Sequence, residues 1–387
     1  MSRRNKTVML VCLLLGLGQL SMGLVFPSLP WIAKDFGISL EQVQLLVSAY
    51  LLGFGPSQFV CGPLSDALGR KIVLLTGLLI SMLGLGIIIV YHYSFVGALV
   101  GRFFQGAGMG CSLVLATVTI RDHFRNTELP LILSQIAVIV SIVPIIAPVL
   151  GGVINHHFGW LVIFMVLLLY VIVVGVIAVF SFQETITGSK KGILKPKRVC
   201  KQYLDLLSSP NFMRFACLGW LNFSLLITAV SVTSFMMQTQ IGMTSNEYAK
   251  WALIPSCGLL VGAYISRRLH PILGSKRVLM VGSACHTCAA LWLFYSPKEP
   301  LLLMVGVFLI VLGNGVSQPC LQALVMAPYK KQAGVAAAMS GGGEMLVASA
   351  ISLLLIQSGV SQPWHLSWVI IGVVVAFVGV SRWEGET

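Results

Sequence analysis

One acidic residue stands apart in this sequence. Of twelve, eleven fall in polar segments or near the ends of apolar runs, but Glu344 lies mid-run, directly after Gly341-Gly342-Gly343. A carboxyl at hydrocarbon depth is expensive and marks a functional position by default. The chemistry open to it is proton uptake and release as its surroundings change. A protonated acid that only donates a hydrogen bond is the plainer reading. Arg102 also lies within an apolar run, and it must face a polar interior or a partner.

Neutral polar residues form stripes. Asn314, Gln318 and Gln322 recur at i, i+4 spacing and share one helix face. Ser224, Thr228, Ser231 and Gln238 fall at helical spacing in an earlier run, and Gln19 with Phe26 mark the first. Such residues either line a cavity or bond helix to helix. Asp66 and Arg70, four apart, can form an ion pair at a helix end. Redox and metal chemistry have weaker claims. The nine cysteines show no zinc-ligand spacing, and Cys285-His286-Thr287-Cys288 lies inside an apolar run. His156 and His157 have no further ligands nearby in sequence, so no metal site is assigned.

The elements that must position these groups follow from composition. Of the 387 residues, 57% are hydrophobic and 10% charged, where a soluble domain carries about 25% charged. That excludes a cytosolic enzyme, a disordered protein and a nucleic-acid-binding module. A spanning helix needs roughly 20 apolar residues. Twelve runs qualify: 8–30, 43–63, 72–91, 95–119, 131–155, 160–182, 211–237, 247–267, 277–296, 300–327, 333–357 and 363–382. The first is too long for a signal peptide and has no small-residue cleavage site.

With twelve spans, 21 basic residues fall on the side of the N-terminus, against Lys34, Lys250 and Lys298 on the other. The positive-inside rule then puts both termini in the cytoplasm. A basic stretch, 183–210, reads as a cytoplasmic linker at the membrane surface between an N-terminal bundle, 1–182, and a C-terminal bundle, 211–387. Gly69-Arg70-Lys71 precedes Ser275-Lys276-Arg277 by 206 positions, and Gly106-x-Gly108 precedes Gly313-x-Gly315 by 207. These matches suggest two parallel six-helix repeats with a substrate site between them near the bilayer midplane.

Gly62-Pro-Leu-Ser-Asp66-Ala-Leu-Gly69-Arg70-Lys71 resembles the loop signature of the major facilitator superfamily, with Gly62 and Gly69 allowing a tight turn and close approach. Arg102-Phe-Phe-Gln105-Gly106-Ala-Gly108 is similar to its fourth-span motif. Pro144-Ile-Ile-Ala147-Pro148-Val-Leu-Gly151-Gly152 resembles the fifth-span signature of its drug:proton antiporters, with Ala147 and Val143 where glycines are usual. Pro27-Ser-Leu-Pro30, Arg121-Asp122 and Glu184-Thr185 fit the bicyclomycin-resistance branch.

The resemblance implies an all-α membrane protein of twelve transmembrane helices in two pseudo-symmetric bundles. It implies a cytoplasmic latch at Gly62, Asp66, Gly69, Arg70 and Lys71, and an antiporter motif at Pro144, Pro148, Gly151 and Gly152. It links Arg102 to proton coupling, which Glu344 would share, although an arginine that only braces backbone carbonyls explains the fourth-span motif equally. Spans 1, 4, 7 and 10 would line the cavity with Gln19, Phe26, Gln105, Thr228, Ser231, Asn314, Gln318 and Gln322.

The expected function is proton-coupled export of small drug-like compounds across the bacterial inner membrane by a multi-pass monomer without cofactor. The partners would be a small-molecule substrate, protons and the lipid bilayer, with no nucleic acid. A dedicated exporter of a siderophore, sugar or nucleoside is the alternative, and a passive channel or proton symporter is less favoured. Neither a P-loop nor an HExxH helix is present, which argues against an ATP-driven pump and a membrane-embedded metalloprotease.

Overall fold

A computed structural model describes residues 3–124, 128–184 and 196–382. Among the described residues every regular element is helical. In chain order these are α1 (Arg3–Gly23), α2 (Leu29–Phe36), α3 (Leu40–Leu68), α4 (Arg70–Val90), α5 (Phe95–His123), α6 (Glu128–Phe158) and α7 (Trp160–Ser181). After them come α8 (Pro196–Leu207), α9 (Pro210–Phe235), α10 (Ser245–Trp251), α11 (Leu253–Tyr295), α12 (Pro300–Met326), α13 (Ala333–Gln357) and α14 (Pro363–Arg382).

Among the described residues, ten helical stretches are long and apolar enough to cross a bilayer. The longest, Ser245–Tyr295, has 51 residues, about 75 Å if straight against a hydrocarbon core of roughly 30 Å. It crosses twice, because Gly274 breaks α11 with φ 74° and ψ 165°. α6, at 31 residues, completes the twelve spans. The first span ends earlier than hydropathy suggests. α1 stops at Gly23, and Pro27 and Pro30 each begin a fresh turn, so Phe26 lies in a short elbow beyond the helix that carries Gln19.

Glycine contacts fix the internal repeat. A Cβ on Gly53 would collide with the Phe103 carbonyl, and one on Gly258 with that of Phe308. Gly108 and Gly313 meet the carbonyls of Gly77 and Gly282, while Gly110 and Gly315 meet those of Phe54 and Leu259. Each pair is displaced by 205 positions, as are the positive-φ breaks at Gly69 and Gly274. The sequence matches at 206 and 207 are therefore out of register. Gly108, not Gly106, is the counterpart of Gly313, and Gly274, not Ser275, is the counterpart of Gly69. The register is decided where two backbones touch and only glycine fits.

Three seams join the two halves. α3 packs along α13, α6 meets α10 and α11, and the elbow after α1 together with α2 meets α9. Of the basic stretch, residues 185–195 lie outside the described residues. The remainder carries α8, which keeps Lys197 and Lys201 exposed and Leu206 buried, and Tyr203 Oη donates to the Phe59 carbonyl of α3 at 3.0 Å. An amphipathic pattern of this kind lies along a surface.

Candidate functional site

Side chains from three spans converge around Glu344. Gln318 and Gln322 stand one turn apart on α12 and face α13. Gln318 Nε2 donates to Glu344 Oε1 at 2.8 Å, and Gln322 Nε2 to Oε2 at 3.3 Å. Ser340 Oγ donates to Gln322 Oε1 at 3.2 Å, and Asn222 Nδ2 of α9 to Gln318 Oε1 at 3.3 Å. Asn314 donates instead to the Asn222 carbonyl at 3.1 Å. Glu344 is 6% exposed, whereas Gln318 and Gln322 are only half-buried, so the cluster borders accessible space. A carboxamide offers N–H to a carboxylate and C=O to a protonated acid. By rotating, each glutamine can serve either charge state of Glu344.

The three glycines before Glu344 carry α13 into the seam. A Cβ on Gly341 would lie 2.7 Å from Gln58 Oε1, and one on Gly342 would lie 2.8 Å from the Gly55 carbonyl of α3. Gly343 abuts the Trp220 ring of α9, whose Nε1 donates to the Ser340 carbonyl at 2.9 Å. Glu344 thus follows directly on a close crossing between α3 and α13, where the halves must slide if access alternates. Sequence reasoning missed Asn222, Ser340 and Trp220. Asn222 falls off the Ser224-Thr228 stripe, but a lone carboxamide mid-span was a signal in its own right.

Arg102 is held elsewhere. It is 1% exposed on α5, with Nε donating to the Leu46 carbonyl at 3.2 Å and Nη1 to the Ser21 carbonyl at 3.1 Å and Gln105 Oε1 at 2.8 Å. The Tyr50 ring lies 4.3 Å from its guanidinium carbon. None of these partners is a carboxylate, and the structure does not bring Arg102 to Glu344, whose own partners are Gln318 and Gln322. In this conformation Arg102 braces spans 1 and 2, and Gln105 serves it rather than facing open space. Arg102→Leu would strip this donor from the Ser21 carbonyl and Gln105 Oε1, at about 1–3 kcal/mol each, whereas the Leu46 carbonyl keeps its bond within α3. The variant should lose about 3 kcal/mol or more, read as a lowered melting temperature in detergent.

The other stripe residues are also enclosed. Thr228 Oγ1 donates to the Ser224 carbonyl at 2.8 Å, and Ser231 is fully buried. They pack rather than line a cavity here. Gln19 is exposed, while Phe26 is buried in the elbow, where its carbonyl accepts from Ser234 Oγ at 2.7 Å. Beside it Gln238 Nε2 donates to the Pro27 carbonyl at 2.9 Å and Trp31 Nε1 to Gln238 Oε1 at 3.0 Å. These bonds shut the side of the bundle opposite the N-terminus.

The description of the Major Facilitator Superfamily matches residues 11–349. The chain belongs to that superfamily. It is similar to the uncharacterized MFS-type transporter YdgK of Bacillus subtilis (strain 168), 26% identical over 378 residues, covering 96% of this chain and 92% of the relative. It is equally similar to the multidrug resistance protein MdtL of Escherichia coli O139:H28 (strain E24377A / ETEC), 26% identical over 348 residues, 90% of this chain and 86% of the relative. Among solved structures, the human organic anion transporter MFSD10 (TETRAN) superposes with a TM-score of 0.72 at 20% identity, covering 97% of this chain and all of that one. A variant of the nucleoside transporter NupG gives 0.77 at 10% identity, covering 98% and 100%. The last two likenesses establish the fold alone. The facilitator is a multi-pass transporter, not an enzyme.

The facilitator's loop signature forms a compact network. Arg70 Nη1 lies 2.6 Å from Asp66 Oδ1, Arg70 Nε lies 3.3 Å from Asp122 Oδ2, and Nη1 also donates to Ser65 Oγ. Glu184 caps α4, accepting from the Arg70 and Lys71 amides at 3.0 and 3.2 Å, and Lys71 Nζ donates to the Val179 carbonyl at 2.7 Å. Only Gly69 makes the turn, at φ 104°, with its missing Cβ leaving room for the Glu184 carboxylate. Gly62 is different: it lies inside α3, and a Cβ there would meet only Val114, at 3.8 Å. The partners just named lie in the N-terminal half, apart from Glu184 at the start of the linker, and none lies in the C-terminal half. Asp66→Asn keeps the shape but loses the charge that holds Arg70. Transport should fall several-fold at equal expression, and near-normal transport would dismiss the latch.

The fifth-span motif sits at a seam of this facilitator. The Pro144 carbonyl accepts from Ser256 Oγ of α11 at 3.4 Å, Gly151 abuts the Leu24 carbonyl, and Gly152 abuts Ser245 and Ala249 of α10. Pro148 lies against Gly23. The prolines and glycines let α6 bend between α1 and α10 at close range.

Proposed function

We propose that this transporter is a proton-coupled antiporter that exports small organic, drug-like compounds across the bacterial inner membrane, with both termini in the cytoplasm. The observation that carries the reading is a buried carboxyl with an amide donor on each oxygen, held within the C-terminal half on the helix that packs along α3 of the other half. Such a group can load a proton in one state and release it in another. The likeness to a multidrug resistance protein supports export, and the α6 motif supports exchange. Reconstitution in liposomes with an internal pH dye tests it. Adding substrate on one side should move protons the opposite way, whereas substrate flux without proton movement would rule the exchange out.

A second reading is favoured by one feature. Asn222, Asn314, Gln318 and Gln322 form a carboxamide-rich cluster, which suits a polar metabolite better than an apolar drug. Whether the cluster recognises substrate is tested by Gln318→Leu and Asn314→Leu. Each should change substrate preference by several-fold while shifting the melting temperature little. A lowered melting temperature with an unchanged substrate profile would make the stripe structural glue.

A further inference from the structure

Away from the carboxyl cluster, α9, the second arm of α11 and α14 enclose a cleft of about 120 Å³. α9 and that arm both begin, and α14 ends, at the face of the bundle where α1 begins. The cleft therefore lies at the N-terminal membrane interface and outside the seam between the halves. Its walls are mostly apolar. Phe377 and Leu279 are buried, but Met280 and Val378, 53% and 40% exposed, form an edge that opens towards lipid. Its polar groups are Arg214, Lys276 and Ser283.

These polar groups are cationic or hydroxylic. Arg214 is fixed in place by α14: Nε donates to the Val380 carbonyl at 3.1 Å, and Nη2 donates to the same oxygen. Lys276 stands in the first turn of the arm that restarts after Gly274, where unsatisfied amides add partial positive charge. Ser283, 8% exposed, sets a hydroxyl in the wall. Basic pockets between spanning helices at this depth suit phospholipid head groups. We infer that the cleft holds one anionic phospholipid, its phosphate at Arg214 and Lys276 and an acyl chain against Met280 and Phe377. A free phosphate would gain nothing from the apolar walls, and a zwitterionic lipid would bring a head-group cation that offsets part of its phosphate's attraction to Arg214 and Lys276.

The full-length protein in mild detergent, offered phosphatidylglycerol and phosphatidylcholine with identical chains, tests this by native mass spectrometry. The parent should retain phosphatidylglycerol in preference. Lys276→Gln removes one charge from an exposed position and should lower that retention about fivefold. Ser283→Phe should obstruct the chain and reduce both lipids, while Lys34→Gln on the opposite face should change neither. Equal retention of the two lipids by the parent, or unchanged retention in Lys276→Gln, overturns the site. A truncation after Arg382 removes the chain's own acids Glu384 and Glu386. If only the truncated protein held phosphatidylglycerol, the chain's end and not a lipid would be the occupant.

Discussion

Glu344→Gln should abolish proton-driven accumulation while leaving substrate binding within a few-fold of the parent. The substitution keeps the shape and the hydrogen-bonding reach of the side chain but removes titration. Gln318 and Gln322 can still bond to the new amide by rotating, so the α12–α13 packing should survive. A non-titrating variant should still let substrate equilibrate, because the halves can move without a proton. It should fail to concentrate substrate against a gradient, and the pH step that drives the parent should have no effect. Counterflow and pH-driven uptake in the same liposomes separate the two. Undiminished driven transport would leave Glu344 as a hydrogen-bonding residue and the coupling group elsewhere. The contrast with Arg102 is built into the geometry, since Arg102 variants should fail first in stability.

The span count was legible because hydrocarbon imposes one requirement on every crossing segment, and a 20-residue apolar run satisfies it almost alone. Glu344 was legible for the same reason inverted, as the residue that violates the rule. Its partners Gln318 and Gln322 share a helix face, so spacing exposed them, but spacing could not say that their amides bond to Glu344 of α13. Partnership across helices depends on rotation about each axis, and rotation is set by packing. The same limit explains Thr228 and Ser231, whose stripe points into neighbouring helices. Gln44 and Ser48 escaped notice entirely. Gln44 Nε2 donates to Ser352 Oγ at 3.4 Å, while Ser48 and Ser349 exchange hydroxyl-to-carbonyl bonds across the seam. No intra-span spacing marks a pair more than 300 residues apart. The repeat register failed at a finer grain, because local identity at 206 and 207 competed with a glycine requirement at 205 that appears only where backbones touch.

Gly152→Leu should hold the far side open. In the present conformation Gly152 of α6 is buried against the Ser245 carbonyl and the Ala249 methyl, and Ser245 Oγ donates to the Gly152 carbonyl at 3.2 Å. No side chain fits there without parting α6 from α10. The clash exists only while that seam is shut, so its cost falls on one state of the cycle. Overpacking of this kind costs about 1–3 kcal/mol, which shifts the ratio of the two states by about 5- to 150-fold. The Ser234–Phe26 and Gln238–Pro27 bonds close the neighbouring seam and should open with it, since both belong to the same rigid half. Ser234 is fully buried, so a Ser234→Cys reporter should label slowly with a membrane-impermeant maleimide in the parent. With Gly152→Leu added, labelling should quicken by a similar factor while turnover collapses, and Gly152→Ala should fall between. Lost transport with the reporter as slow as in the parent would make Gly152 a packing position with no part in closing the far side.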